Sequence, residues 1–256
     1  MVRLASGIVM AAVAIAAIVW LPQLVFRAAV TGLAAAAAAE YAPLAGRRGG
    51  VGRWLVVLVV ALSTWLLSDR PFNTPLVAVL GMAVAAGFVL GRGRAIPPSL
   101  AALFGVVYIG IPFALLAHLR AAAGWRSTLL LVVTVVVSDS LQYYSGRLFG
   151  RRPLAPTISP KKTIEGAIGG VAAAAVFLAA AAPLVLSGLS RAAFAGVGVM
   201  LSLAGICGDL FESQLKRTAG IKDSSDLIPG HGGVLDRVDA LLFATPVFYV
   251  LVRSVL

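Results

Sequence analysis

From Arg126 to Gly146 the chain reads RSTLLLVVTVVVSDSLQYYSG, a run apolar for long enough to cross a bilayer, and it is one of about nine such runs. In lipid there is no water to bond the backbone N–H and C=O groups. Each run must therefore close its hydrogen bonds on itself, as a helix. The runs cover roughly residues 5–26, 28–44, 52–68, 74–91, 97–118, 126–146, 164–187, 191–214 and 236–254. With 60% hydrophobic and 12% charged residues and a mean hydropathy of +0.99, the fold class is an all-α polytopic membrane protein of about nine transmembrane helices.

Two of the runs need separate comment. The second, AAVTGLAAAAAAEYAPLAG, is built largely from Ala and ends near Glu40; it reads as a span or as a short, re-entrant helix. Glu40 itself reads as a carboxylate paired with a nearby Arg or Lys, because an ionised side chain beside lipid needs a partner. The first run follows Arg3 but stays apolar to Phe26, longer than a cleaved signal segment, and is read as a retained helix. A single cysteine, Cys207, excludes an internal disulfide and any multi-cysteine metal site.

The formal charge of +11 does not indicate nucleic acid. If the N-terminus is cytoplasmic and the helices alternate, the inner loops receive most of the 21 basic residues; Arg27, Arg70, Arg120, Arg126, Arg191 and Arg253 are the exceptions. That bias follows the positive-inside rule. Of the ten acidic residues, only Asp69 falls on the outer side.

The remaining carboxylates gather in polar islands on the inner face. Asp209, Glu212, Ser213 and Lys216 recur at i, i+3, i+4 and i+7 at the inner end of the eighth run, one face of a helix. Asp236 and Asp239 share a face at the start of the ninth. The loop between them carries Lys222, Asp223 and PGHGG. Carboxylate oxygens suit a hard cation such as Mg²⁺, which takes one or two of them together with substrate phosphates. Lys216, Arg217 and Lys222 suit a polyphosphate. Gly230, Gly232 and Gly233 allow close backbone approach to phosphate ahead of a helix N-terminus. A second island, SPKKTIEGAIGG, sets Ser159, Lys161, Lys162 and Glu165 at the mouth of the seventh run, with Thr163 as N-cap and Gly166 and Gly170 as a close-packing pair. A third puts Ser138, Asp139, Gln142 and Tyr143 on one arc of the sixth.

The run from Ser213 through Lys216-Arg217, Lys222-Asp223, Pro229-Gly230-His231-Gly232-Gly233, Asp236-Arg237 to Asp239 resembles the signature of the phosphatidate cytidylyltransferases, the CDP-diacylglycerol synthases. SPKKTIEG and GDLFES resemble further segments of that family, so the likeness is carried by residues 130–245. It implies a membrane helical homodimer that makes CDP-diacylglycerol and pyrophosphate from CTP and phosphatidic acid. It also implies Mg²⁺ on Asp209 and Asp236, with a second, monovalent or divalent, cation as an open alternative. Lys216, Arg217, Lys222 and Asp223 then join those aspartates in catalysis. Asp139, Tyr143, Ser159, Lys161, Lys162, Thr163, Glu165, Ser213, Gly230, His231, Gly232, Gly233, Arg237 and Asp239 would contact substrate. His231 reads as a loop or phosphate-contacting residue before a proton acceptor, and His118 as structural. One departure is visible: where the family commonly reads Asp-x-x-Ala-Tyr, this chain has Asp139-Ser140-Leu141-Gln142-Tyr143. An amide there needs a partner, either Asp139 or nucleotide.

The expectation is thus one membrane domain over residues 1–256. Its helices in 1–125 face lipid or a second copy, and its catalytic helices and cytoplasmic loops lie in 126–256. It sits in a bacterial-type inner membrane with the site facing the cytoplasm. A related CTP-dependent transferase acting on another lipid phosphate, and a membrane transporter, are the alternatives. No G-x-x-x-x-G-K-[ST] pattern supports ATP-driven transport.

Overall fold

Proline sets the first corner of the fold. In a computed structural model of the chain, which describes residues 2–46, 49–71, 98–221, 225 and 232–255, α1 (Val2–Trp20) stops ahead of Pro22 and α2 (Gln23–Leu44) starts directly after it. The sequence reading put this break at Arg27. Pro22 moves it forward, because its ring fixes an extended approach (φ −55°, ψ 149°) and suits the residue preceding a helix. α2 has 22 residues and is long and apolar enough to cross a membrane.

The remaining helices follow the apolar runs closely. They are α3 (Val51–Leu67), α4 (Pro98–Gly105), α5 (Ile111–Phe149), α6 (Ile164–Ala181), α7 (Arg191–Thr218) and α8 (Leu235–Val255). A π-helical turn, Val106–Gly110, joins α4 to α5, with the Ile111 N–H reaching back to the Val106 carbonyl. Pro112 accounts for the widened turn, since it has no N–H to give the carbonyl four residues earlier. Helix α5 holds the end of the fifth run and all of the sixth in one stretch, broken at Gly124 (φ 79°, ψ 173°). Only glycine takes that backbone without strain. The run expected at 74–91 lies outside the described residues. The protein is an all-α membrane protein whose described helices include four long and apolar enough to span. Among the described residues the one β-sheet is a small hairpin, Pro153–Ala155 against Ser159–Thr163, turned at Pro156.

Burial follows the pattern expected of helices in lipid. On α3 a single stripe, Val56, Val60 and Thr64, is buried, while Leu55, Leu58, Leu62 and Leu66 are exposed. On α6 the buried stripe is Gly166, Gly170, Ala174 and Leu178, and Ile168 and Val176 are exposed. A helix apolar all round with one narrow packed stripe belongs in hydrocarbon.

The chain forms two compact units: Met1–Trp125 with Leu215–Val238, and Arg126–Gln214 with Asp239–Leu256. In the first, Tyr41 of α2 is buried against Phe104 and Tyr108, with ring centroids 6.1 Å away in each case. Arg120 staples the α1–α2 corner. Its guanidinium donates to the Ile18 carbonyl (2.7 Å), the Leu21 carbonyl (2.5 Å) and Gln23 Oε1 (2.8 Å), and lies over the Phe26 ring at 4.6 Å. Gln23 in turn donates to the Ala117 carbonyl at 3.1 Å. Arg27 pairs with Asp69, donates to the Trp65 carbonyl and stacks on the Trp65 ring.

The two arginines should respond differently to loss of their partners. Arg120→Ala leaves carbonyls stranded at a helix corner and is expected to cost about 2–4 kcal/mol. Asp69→Asn removes an ion pair whose carboxylate is 66% exposed, and should cost less than about 1 kcal/mol. Thermal unfolding of the two purified variants in one detergent measures both.

Candidate functional site

Small residues bring the acids of the second unit together. On α6, a side chain at Gly166 would press on the Gln142 carbonyl and Gly146 of α5, and one at Gly170 would collide with the Gln142 side chain. The close-packing pair expected from sequence therefore has α5 as its partner. At Gly198, α7 meets the Ala174 backbone of α6, and at Gly208 it meets the Asp239 carbonyl of α8. Ser138 of α5 and Ser202 of α7 share a 2.7 Å hydrogen bond in a buried position. Ser202, Gly198 and Gly208 were not singled out from sequence; small residues spaced along α7 were the available signal.

These crossings set Asp139 (α5), Asp209 (α7) and Asp239 (α8) within electrostatic reach of one another and of Lys162. Lys162 Nζ pairs with Asp209, and Ser213 Oγ lies 3.4 Å from Asp209 Oδ1. Asp239 is buried, with Oδ1 accepting the Ala240 N–H at 2.8 Å. Gln142 Nε2 donates to Asp139 Oδ1 and to Ser138 Oγ, each at 3.1 Å. The amide that departs from the family pattern thus finds Asp139 as a partner.

The hairpin presents Lys162. Thr163 caps α6 by accepting the Gly166 N–H at 3.1 Å, as its sequence position predicts. Glu165 Oε2 accepts the backbone N–H groups of Arg151 (3.0 Å) and Arg152 (3.2 Å), fixing the hairpin's first strand. Lys161 is exposed and Ser159 half-buried. Tyr143 is exposed; it accepts from Arg147 at 3.2 Å and lies edge-on to Tyr144.

The first unit holds the rest of the polar set. Asp236, in the first turn of α8, takes Lys216 Nζ on Oδ1 at 2.6 Å and the Gly233 N–H on Oδ2 at 2.8 Å. Gly232 has φ +78°, and a side chain there would meet Asp236 Oδ2. Arg217 and Arg237 are exposed. Lys222, Asp223, Gly230 and His231 lie outside the described residues. Glu40 shows a role the sequence reading did not give it: its carboxylate accepts backbone N–H groups of Val234 and Leu235.

A hard cation fits the chemistry of the second unit's cluster, where three carboxylates lie within electrostatic reach of one ammonium. Among the described residues, no three of the ligating residue types converge closely enough to enclose an ion.

The profile of the Cytidylyltransferase family matches residues 1–255. The chain is 37% identical over 190 residues to the phosphatidate cytidylyltransferase of Helicobacter pylori, a match covering 73% of this chain and 68% of that protein. To the enzyme of the same name from Haemophilus influenzae it is 46% identical over 126 residues, 47% of this chain and 44% of the other. To that of Aquifex aeolicus it is 42% identical over 123 residues, 48% and 46% respectively. The chain spans about half the length of most of the curated relatives it matches.

Gln142→Ala should release Asp139 from its amide donor while leaving the α5–α6 crossing intact. On the activity proposed below, the expected result is a folded protein whose half-saturating Mg²⁺ and KM for CTP shift by about three- to tenfold, the scale of one ordinary hydrogen bond. Steady-state kinetics identical to those of the unsubstituted protein would reduce Gln142 to a packing residue.

Proposed function

Because the chain belongs to the cytidylyltransferase family, we propose that it joins CTP to phosphatidic acid, yielding CDP-diacylglycerol and pyrophosphate. The observation that carries the reading is the gathering of Asp139, Asp209, Asp239 and Lys162 in a chain that also bears the signature from Ser213 to Asp239. Such acids need a charged ligand, and a triphosphate with its cation is one.

In this reading a phosphatidate oxygen attacks the α-phosphorus of CTP in line. One P–O bond forms there as the α–β bridging P–O bond breaks, and the electron pair leaves with pyrophosphate. No strong base is required, since a phosphate monoester with a second pKa near 6 is already ionised at neutral pH. Lys162, Lys216, Arg217 and Lys222 hold the phosphates and offset charge on the non-bridging and leaving oxygens. Asp209 and Asp236 are the proposed Mg²⁺ residues on the evidence of the signature. When bound, the ion neutralises the triphosphate and polarises its phosphoryl oxygens.

The same reading gives about nine spans, a cytoplasmic N-terminus, a site open to the cytoplasm of a bacterial-type inner membrane, and a homodimer. The location follows from the substrates: a water-soluble triphosphate and a lipid phosphate meet only at the membrane edge.

Three measurements test it. Purified protein with Mg²⁺ and phosphatidic acid should release pyrophosphate with CTP, and far less with ATP, GTP or UTP. Release with none of the four would overturn the activity. Asp209→Asn and Asp236→Asn should each lower turnover per folded molecule on the order of 10³-fold, while Asp69→Asn leaves it unchanged; near-normal turnover with unaltered Mg²⁺ dependence would remove the metal assignment. For topology, single cysteines at 161 and 191 in a Cys207→Ser background report sidedness. An impermeant thiol reagent on intact cells is expected to label 191 and spare 161.

A further inference from the structure

Helix α8 begins at Leu235. The residue before it is Val234, which offers no oxygen to the unsatisfied N–H groups of the first turn. Glu40, near the end of the sequence's Ala-rich second run, supplies them instead. The residue is 6% exposed. Oε1 accepts from Ser225 Oγ at 2.6 Å and from the Val234 N–H at 3.0 Å, and Oε2 accepts the Leu235 N–H at 2.8 Å. Charge-assisted bonds of this kind are about twice as strong as neutral ones, and the positive end of the helix dipole adds to them.

The neighbouring amide is held by the other carboxylate. Gly233 donates to Asp236 Oδ2, which leaves Asp236 Oδ1 facing Lys216 Nζ. Three successive N–H groups, of residues 233, 234 and 235, are thus divided between Asp236 and Glu40. Glu40 is itself immobilised: the adjacent Tyr41 is 1% exposed and wedged against Phe104 and Tyr108.

From this we infer that Glu40 is a positioning residue for the site, a cap supplied by α2 that fixes the approach to α8 and so sets the direction of Asp236 and Lys216. The inference rests on the proposed function for its consequence in turnover. Glu40 acts through the backbone of Val234 and Leu235. Glutamine cannot replace it, because its amide nitrogen would confront a second N–H donor. Aspartate keeps the charge but is one methylene short.

The test uses the full-length protein in detergent and three variants, Glu40→Gln, Glu40→Asp and Ser225→Ala. Amide exchange at Val234 and Leu235 is read without substrate. It should accelerate on the order of 10²-fold in Glu40→Gln, less in Glu40→Asp and least in Ser225→Ala. Turnover per folded molecule should fall in the same order, by about 10- to 100-fold for Glu40→Gln, with a raised half-saturating Mg²⁺ and an unchanged KM for phosphatidic acid. Should Glu40→Gln fail to fold, the order of the other two decides. Unchanged exchange at Val234 and Leu235 overturns the proposal. So does faster exchange with turnover and Mg²⁺ dependence as in the unsubstituted protein, which would make Glu40 a stabilising cap alone. Absence of turnover in the unsubstituted protein counts against the reaction, and exchange alone then decides the clamp.

Discussion

A polar group surrounded by hydrocarbon has no water to fall back on, and the architecture follows from supplying each such group with a partner. The backbone is served by helices. Where a helix must stop, a side chain takes over: Arg120 collects the Ile18 and Leu21 carbonyls at the α1–α2 corner, and Glu40 collects the N–H groups of Val234 and Leu235 at the start of α8. A guanidinium answers carbonyls and a carboxylate answers amides, which is the pairing the helix dipole favours at each end.

Glycine decides where charges can meet. Lipid exerts little hydrophobic pressure between helices, so close approach depends on small residues at the crossings. Gly208 admits the Asp239 carbonyl and Gly198 admits Ala174, which is why acids from three helices come within reach of Lys162. Larger residues there would separate the helices and, with them, the carboxylates.

Most of the helix pattern was legible because hydropathy measures the solvent directly: Val51–Leu67, Arg191–Thr218 and Leu235–Val255 match the runs read from sequence to within a few residues. The first break was misplaced because Arg27 was taken as the end of a span, when it satisfies itself with Asp69 and Trp65 inside the fold. Thr163 was legible as a cap because its partner is three residues away. Glu40 was not, since its hydrogen-bonded partners lie at |i−j| of 185 to 195, and no local pattern encodes a cap supplied by another helix. Charge alone suggested an ion pair; the structure adds hydrogen bonds to backbone.

The two signature aspartates share one further property. Asp209 is paired with Lys162 in one unit and Asp236 with Lys216 in the other, so each acid proposed for the cation already holds a lysine proposed for the phosphates. Unpaired, a partly buried carboxylate or lysine would be costly in the substrate-free protein. Paired, they wait at low cost. On the proposed reading, a triphosphate arriving with its cation offers each member of a pair a new partner of the right sign, the carboxylate taking positive charge and the ammonium negative. Exchange of partners conserves the number of satisfied charges, which allows a strongly anionic substrate to enter a site in an apolar protein without a stage at which a charge stands alone.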